Sequence, residues 1–309
     1  MKTPLIHLFT LSILAFSSAF AAQHSFIAIG DMPYGGKPED HAKFQRVIDR
    51  INQIQPAFTV HIGDIKSGST VCSDEALLKV KDMLNTISPA LIYTPGDNEW
   101  TDCHREKAGK FNPLERLEFV RKNFFQNGMS LGVKPVKLES ESENSQYSKF
   151  VENTRWNKDG VQYFTLHIIG SDNNLQRNLE SAQEYFERNA ANLAWLKDSF
   201  QKAATSNAKA VVLFLQADML SVYSPGFTDT LAELKTQAAA FKKPVLLVHG
   251  DSHTFVIDRP FNTDADNTVP QLTRLQVPGD GRVYGIQVNI DTEDAGVFSF
   301  KPVVVLENQ

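Results

Sequence analysis

Several features that would assign a 309-residue chain to a special class are missing from this sequence. Only two cysteines occur, which leaves room for a single disulfide or a single thiolate pair. The formal net charge is −5, and no cluster of lysine or arginine interrupts it, which argues against a nucleic-acid or anionic-membrane partner. No linker rich in proline or serine divides the chain. The length therefore favours one large α/β domain.

Three common catalytic motifs are also absent. The sequence contains no Gly-x-Ser-x-Gly elbow, no His-Glu-x-x-His pair and no Walker loop. Serine hydrolase, zincin and nucleoside-triphosphatase functions therefore lack support.

The start of the chain has the pattern of a signal peptide. A lysine near the start precedes a mostly apolar stretch over residues 5–16, which is too short to span a membrane. Residues 19–21 then give the small-x-small pattern of a cleavage site. We predict that residues 1–21 are removed on export, which leaves a single domain over 22–309 that is periplasmic or secreted. An uncleaved membrane anchor is the alternative, and no later stretch of the sequence is long and apolar enough to cross a bilayer.

Four apolar runs each end in the dipeptide Gly-Asp. Each run has the length and the β-branched or aromatic content of a buried strand, and helical patterns separate the runs, which predicts parallel strands. Parallel strands in one sheet place their carboxyl ends on one rim, where α/β sheets hold ligands. Any one Gly-Asp is typical of a plain turn, but four carboxylates on one rim would repel each other and favour a bound divalent cation. The four aspartates are Asp31, Asp64, Asp97 and Asp251.

The rest of the chain largely continues this alternation. Residues 104–155 fit it less well and are interpreted as a surface insertion. The tail alternates in a way that predicts a hairpin of residues 272–277 and 283–290. Helical patterns cover about 40–53, 74–86, 114–125, 181–204 and 228–240, and further buried strands are predicted at 161–166 and 211–215.

The two cysteines follow two of the Gly-Asp pairs. Cys72 comes shortly after Asp64, and Cys103 comes shortly after Asp97. If those strands are neighbours, the two thiols lie on adjacent rim loops, and in an exported protein a disulfide is the favoured prediction. The alternative is a thiolate pair for a soft metal, which the oxygen-rich surroundings disfavour.

The order of these motifs resembles that of the calcineurin-like metallophosphoesterases. The signature of that family runs Asp-x-His, Gly-Asp, Gly-Asn-His-Glu or Asp, a His, and Gly-His-x-His, and each block follows a strand. The corresponding blocks here are Gly30-Asp31-Met32-Pro33, Gly63-Asp64, Gly96-Asp97-Asn98-Glu99, Gln216 and Gly250-Asp251-Ser252-His253. The resemblance covers about residues 25–295. It implies an α/β fold with layered β-sheets flanked by helices and a metal site at the carboxyl rim of the strands.

Several ligands of that family are replaced in this sequence. Pro33 and Gln216 each stand where the family has a histidine, Asp251 stands at the first histidine of the last block, and Asp97 stands at the asparagine of the third. The ligand set that the resemblance implies is Asp31, Asp64, Asp97, Gln216, Asp251 and His253. Because oxygen donors replace imidazoles, we expect one or two divalent ions, with Mg²⁺, Mn²⁺ or Ca²⁺ favoured over zinc and iron.

The resemblance implies metal-assisted hydrolysis of a small-molecule or other phosphomonoester or phosphodiester. In that family the histidine of the third block is often the acid that protonates the leaving group. Asn98 stands at this catalytic position here and is a poor acid. His104, Asp102 or a metal-bound water would then supply the proton. A second hypothesis is a weakly active or inactive relative that binds a cation or ligand, and a third is another kind of hydrolase. The persistence of the four carboxylates favours the first.

Overall fold

A computed structural model describes residues 23–221, 223–262 and 268–308, so the predicted signal peptide lies outside the described residues. Twelve strands and six helices occur in these residues. The strands are β1 (Gln23–Ile29), β2 (Phe58–His61), β3 (Leu91–Tyr93), β4 (Glu139–Ser140), β5 (Thr154–Lys158), β6 (Val161–Thr165), β7 (Ala210–Phe214), β8 (Val245–His249), β9 (Val256–Asp258), β10 (Leu272–Gln276), β11 (Gly285–Asp291) and β12 (Phe298–Val303). The helices are α1 (Pro38–Ile54), α2 (Asp74–Leu84), α3 (Pro113–Phe124), the single turn α4 (Gly170–Asn173), α5 (Leu179–Thr205) and α6 (Thr228–Phe241).

Two sheets lie face to face between layers of helices. The first sheet has the order β12-β11-β1-β2-β3, and the second has the order β4-β5-β6-β7-β8-β10-β9. Aromatic and aliphatic side chains of both sheets share one core, in which Phe26 of the first sheet meets Tyr163 and Phe214 of the second. Helices α1, α2 and α3 cover the outer face of the first sheet, and α5 and α6 cover that of the second. This layering confirms the predicted fold class.

The strands that end in Gly-Asp do not all belong to one sheet. β1, β2 and β3 are parallel neighbours in the first sheet, whereas β8 lies in the second, parallel to β7. The sheets face each other with these strand ends at the same edge, since the Asp251 amide after β8 donates to the Asp31 carboxylate after β1 at 3.1 Å. The four carboxylates therefore meet between two sheets rather than along one.

The predicted tail hairpin is wrong. β10 pairs in parallel with β8, whereas β11 pairs antiparallel with β1 in the other sheet. Alternation correctly predicted two strands, but it carries no information about which strand each one joins. Ile286 and Val288 of β11 are fully buried in the core between the sheets, and the intervening segment crosses from one sheet to the other.

The region predicted as a surface insertion, residues 104–155, contains α3 and β4. Asn112 caps α3, since its side-chain oxygen accepts from the amides of Leu114 and Glu115, and Pro113 opens the first turn. The division into a signal peptide and one domain with an insertion stays a prediction. Among the described helices, none combines the length and apolar character that a membrane crossing requires.

A disulfide joins Cys72 and Cys103, which are both fully buried. It closes a loop between residues 31 positions apart and ties the loop after β2 to the loop after β3. Replacing both cysteines by serine is expected to lower the free energy of unfolding by about 3–4 kcal/mol, because the loop is then free in the unfolded chain. Urea unfolding of the wild type and the double variant measures this loss. Equal midpoints and slopes for the two proteins would contradict the expectation.

Candidate metal centre

Two buried aspartates at the ends of β1 and β2 begin the site. Asp31 and Asp64 both adopt left-handed backbone conformations, with φ of 53° and 57°. His61 holds the two loops together, since its Nε2 donates to the Met32 carbonyl at 2.7 Å and its Nδ1 accepts from the Gly63 amide at 3.2 Å. Burial lowers the pKa of His61 to about 4, so it remains neutral and serves as a structural link.

Glu99 links the loops after β2 and β3. Its carboxylate accepts from the Ile65 amide at 3.0 Å, the Tyr93 hydroxyl at 2.9 Å and the Gly96 amide at 3.1 Å. Burial raises the pKa of Glu99 to about 7. These bonds fix the positions of the aspartates that follow the two strands.

Asp31, Asp64 and His253 form the tightest group of donors. One ligand atom from each lies within 4.8 Å of the others, and His253 Nε2 is 3.5 Å from Asp31 Oδ1. Two carboxylate oxygens and one imidazole nitrogen at this spacing suit a divalent cation. The backbone N–H of Asp251 donates to the Asp31 carboxylate and lies 3.1 Å and 3.3 Å from its two oxygens.

The second half of the site is built around Asp97 and Asp251. A methyl group on Gly170 would lie 2.9 Å from an oxygen of each carboxylate, so the two carboxylates face the same point and only glycine fits there. The Gly170 amide donates to Gln216 Oε1 at 2.6 Å, and Gln216 Nε2 donates to Asp97 Oδ1 at 3.3 Å. Gln216 therefore orients Asp97, and its carbonyl oxygen is already engaged.

Asn98 acts here as a donor to Asp64. Its side-chain Nδ2 donates to Asp64 Oδ2 at 2.5 Å, and its backbone N–H donates to Asp64 Oδ1 at 3.3 Å. The Tyr34 hydroxyl is 3.3 Å from the same Nδ2, and the Tyr34 ring packs edge-on against His253 at 4.4 Å between centroids. Burial raises the pKa of Tyr34 above its usual value, so its hydroxyl stays protonated.

His104 lies outside this contact network. Its side chain is exposed, and its Nδ1 bonds to the Thr101 carbonyl at 2.6 Å. Its role as a leaving-group acid stays a prediction.

Charge within the centre is poorly balanced. Burial raises the pKa of Asp31 and, together with neighbouring carboxylates, raises that of Asp64 well above its usual value. Sequence reasoning missed the nearby cation Lys66, which follows Asp64 by two residues and whose Nζ bonds to the Ser67 carbonyl at 3.0 Å. Burial lowers the pKa of Lys66, so it compensates the four carboxylates only in part. A divalent cation would supply the remaining positive charge.

Sequence reasoning also missed Ser171. Its hydroxyl lies 2.7 Å from Asp97 Oδ2 and 2.9 Å from Asp102 Oδ1, so it links these two carboxylates. It begins a run over residues 171–174 in which all four φ values are positive, at 51°, 50°, 53° and 66°. Left-handed backbone costs about 1–2 kcal/mol per residue other than glycine, so this turn needs support from elsewhere in the fold.

Arg188 of α5 supplies much of that support. Its guanidinium is fully buried and donates to Asn173 Oδ1 at 2.6 Å and to the His167 carbonyl at 2.8 Å. It also pairs with Glu184 at 2.6 Å, and Glu184 in turn accepts from Asn174 Nδ2 at 2.9 Å. The turn that presents Ser171 is thus anchored in the interior.

Substituting alanine for Ser171 is expected to weaken Mn²⁺ binding by about 10- to 100-fold, because outer partners of metal ligands have effects of that size. Isothermal titration calorimetry on chelator-stripped protein measures the dissociation constant. Ser148→Ala is the matched control, since Ser148 is exposed. An unchanged dissociation constant in Ser171→Ala would contradict the assigned role.

The metal-free protein is expected to lose stability as pH rises from about 4 to about 7. The pKa values of Asp102 and Asp251 are both raised to about 7, mainly by burial and further by the nearby carboxylate of Asp97. Over this window the unfolded chain has already released these protons while the native state still holds them, so the unfolded state binds fewer protons and the free energy of unfolding falls. A bound cation would stabilise the ionised carboxylates in place of these protons, so the metal-loaded protein should not lose stability over this pH range. Melting temperatures of stripped and Mn²⁺-loaded protein between about pH 5 and pH 8 test this, and a rising value for the stripped protein would contradict it.

Comparison with known proteins identifies the family and the fold. The family profile described as calcineurin-like phosphoesterase matches residues 24–264, and the chain belongs to this family, whose members use divalent metals. A dimetal phosphatase from Danio rerio superposes with a TM-score of 0.53 at 12% identity, covering 91% of this chain and 98% of that one. GAP50 of Plasmodium, described as the anchor in the inner membrane complex, gives 0.51 at 11% identity over 92% and 89% of the two chains. These identities establish a shared fold alone. No curated protein matches significantly.

Proposed function

We propose that this protein is an exported metal-dependent phosphoesterase that hydrolyses a phosphomonoester or a phosphodiester of a small molecule. The observation that carries the proposal is the meeting of Asp31, Asp64 and His253 within 4.8 Å, beside the facing carboxylates of Asp97 and Asp251. Buried carboxylates repel each other when they are ionised, and a bound divalent cation would remove that repulsion. The mild negative net charge argues against a nucleic-acid substrate.

Each residue has a distinct part in this proposal. Asp31, Asp64 and His253 would hold one ion, and Asp97 and Asp251, whose carboxylates face each other, would hold a second. A bound divalent ion would activate a water molecule and neutralise the phosphate oxygens. Asn98 fixes the orientation of Asp64, and its amide N–H groups are too weakly acidic to protonate a leaving group.

The direct test is hydrolysis by chelator-stripped protein to which single metals are restored. We expect no turnover of aryl phosphate monoesters or diesters in the stripped protein, and turnover after Mn²⁺, Mg²⁺ or Ca²⁺ is added. Zinc and iron serve as the comparison metals, because oxygen ligands disfavour them. Absence of turnover with every metal and every ester would refute the enzymatic proposal.

The second candidate is an inactive relative that binds a cation or ligand. Pro33 and Asn98, which replace two histidines of the family signature, favour it. The Plasmodium neighbour described as an anchor has the same fold. Stoichiometric metal binding without hydrolysis of any ester would support this candidate instead.

Export rests on the first 21 residues and on the Cys72–Cys103 disulfide, which is typical of oxidising compartments. Amino-terminal sequencing of protein expressed from the full gene in a bacterium tests it. We expect the mature chain to begin near Ala22 and to appear outside the cytoplasm. A retained first methionine in a cytoplasmic product would contradict export.

A further inference from the structure

A groove of about 480 Å³ lies beside the metal centre. Its lining includes Tyr34 on one side, Ser67 and Ser69 from the loop after β2, and Arg105 and Lys107 from the loop after β3. No family motif accounts for these five residues. The lining also includes Glu106, so two cationic side chains and one anionic side chain border the groove.

Two residues that line the groove, Tyr34 and Arg105, lie next to Asn98 of the centre. The Tyr34 hydroxyl lies 3.3 Å from Asn98 Nδ2, which itself donates to Asp64 at 2.5 Å. On the other side, a methyl group on Gly68 would lie 2.4 Å from Arg105 Nη1 and 2.7 Å from Asn98 Oδ1. Arg105 and Asn98 therefore meet over Gly68, and a molecule whose phosphate is at the metal centre would extend into the groove.

The walls of the groove are fixed before anything binds. The Cys72–Cys103 disulfide ties the two loops together, and the Cys72 amide donates to the Ala108 carbonyl at 2.9 Å. A site whose walls are already ordered loses less conformational entropy when it binds a ligand.

The groove offers positive charge that the fold does not fully use. Arg105 bonds to Asp102 at 2.7 Å through Nη1, yet its side chain is 48% exposed and it has five N–H donors in all. Glu106 is paired with Lys110 at 2.9 Å, whereas Lys107 has no ion pair within the part of the chain that the structure describes. Two cations thus border a space that lies beside the proposed metal centre.

We propose that this groove binds the leaving group of the substrate and that Arg105 recognises a second anionic group on it. The substrate class is then a phosphoester whose leaving group carries a carboxylate or a further phosphate, with its planar part against Tyr34. This inference rests on the proposed phosphoesterase function. Arg105 acts as a specificity residue, since guanidinium donors form strong bonds to either oxyanion.

The experiment compares two esters that differ only in one charge, 4-(carboxymethyl)phenyl phosphate and its uncharged amide, 4-(carbamoylmethyl)phenyl phosphate. Mn²⁺-loaded wild type should show a kcat/KM that is about 10- to 100-fold higher for the acid, through a lower KM. In Arg105→Gln the ratio should fall to within about threefold of unity. Arg50→Gln, at an exposed arginine of α1 that does not line the groove, should keep the wild-type ratio.

Arg105→Gln also breaks the bond to Asp102 and can lower the amount of active enzyme. The ratio of the two kcat/KM values within one variant does not depend on that amount. Equal kcat/KM for the two esters in the wild type, or an unchanged preference in Arg105→Gln, would overturn the role of the groove while leaving the phosphoesterase proposal intact. Hydrolysis of neither ester by a Mn²⁺-loaded wild type that does hydrolyse another aryl phosphate would overturn the role of the groove alone. Free 4-hydroxyphenylacetate as a competitive inhibitor of the wild type, but not of Arg105→Gln, would support the same assignment independently of turnover.

Discussion

Replacing Asp64 by asparagine is expected to abolish divalent-metal binding and phosphoester hydrolysis together. Asp64 is 1% exposed, belongs to the closest donor group with Asp31 and His253, and accepts two bonds from Asn98. The amide removes the negative charge that holds the ion, so no activated water forms. We expect a loss of at least about 1,000-fold in kcat/KM, with no saturable Mn²⁺ binding by calorimetry.

Asp82→Asn is the matched control for this substitution. Asp82 is an exposed aspartate on α2, so the same chemical change should leave metal binding and turnover at wild-type levels. Circular dichroism and the melting temperature of the metal-free proteins establish that Asp64→Asn is folded. Wild-type turnover in Asp64→Asn would refute the assignment of the centre.

Replacing Arg188 by methionine is expected to lower the free energy of unfolding by about 3–5 kcal/mol. The substitution keeps an unbranched apolar stem but removes the guanidinium, which leaves Glu184, 10% exposed, without its cation. It also removes the donors to Asn173 and to the His167 carbonyl that hold the left-handed turn. Buried groups that lose their only strong partner cost far more than surface pairs.

Denaturant unfolding of the metal-free protein measures this loss, with Arg50→Met on the exposed face of α1 as the control. The double variant Arg188→Met with Glu184→Gln should recover part of the stability, because it removes the unpaired charge. Mn²⁺ affinity should fall in Arg188→Met as in Ser171→Ala, since both changes disturb the same turn. A loss below about 1 kcal/mol would show that Arg188 is not a main anchor of the turn.

Sequence patterns were sufficient to predict the strands that end in Gly-Asp and the aspartates that follow them. A buried strand followed by Gly-Asp is a local signal, so the elements that carry Asp31, Asp64, Asp97 and Asp251 were identified from composition and spacing. Their assignment to two facing sheets required long-range pairing that no local pattern encodes. The wrong hairpin in the tail has the same cause, since β10 and β11 have separate partners.

The parts of the centre that escaped sequence reasoning depend on distant residues. Ser171 has no motif of its own, and the neighbouring Asp172, Asn173 and Asn174 hint at left-handed backbone, because aspartate and asparagine tolerate it. The turn is specified by Arg188, which lies on another element and is buried. Gln216 was expected to offer an oxygen ligand, whereas its contacts are to Gly170 and Asp97.

The measurement that tests the central claim most directly is hydrolysis of an aryl phosphate while Mn²⁺ is titrated into chelator-stripped protein. Bound metal and rate are followed on the same samples. We expect no hydrolysis at the start, and a rate that rises with bound metal and saturates at about one or two ions per chain. Hydrolysis at full rate by the stripped protein, or a protein that binds no ion, would contradict the account.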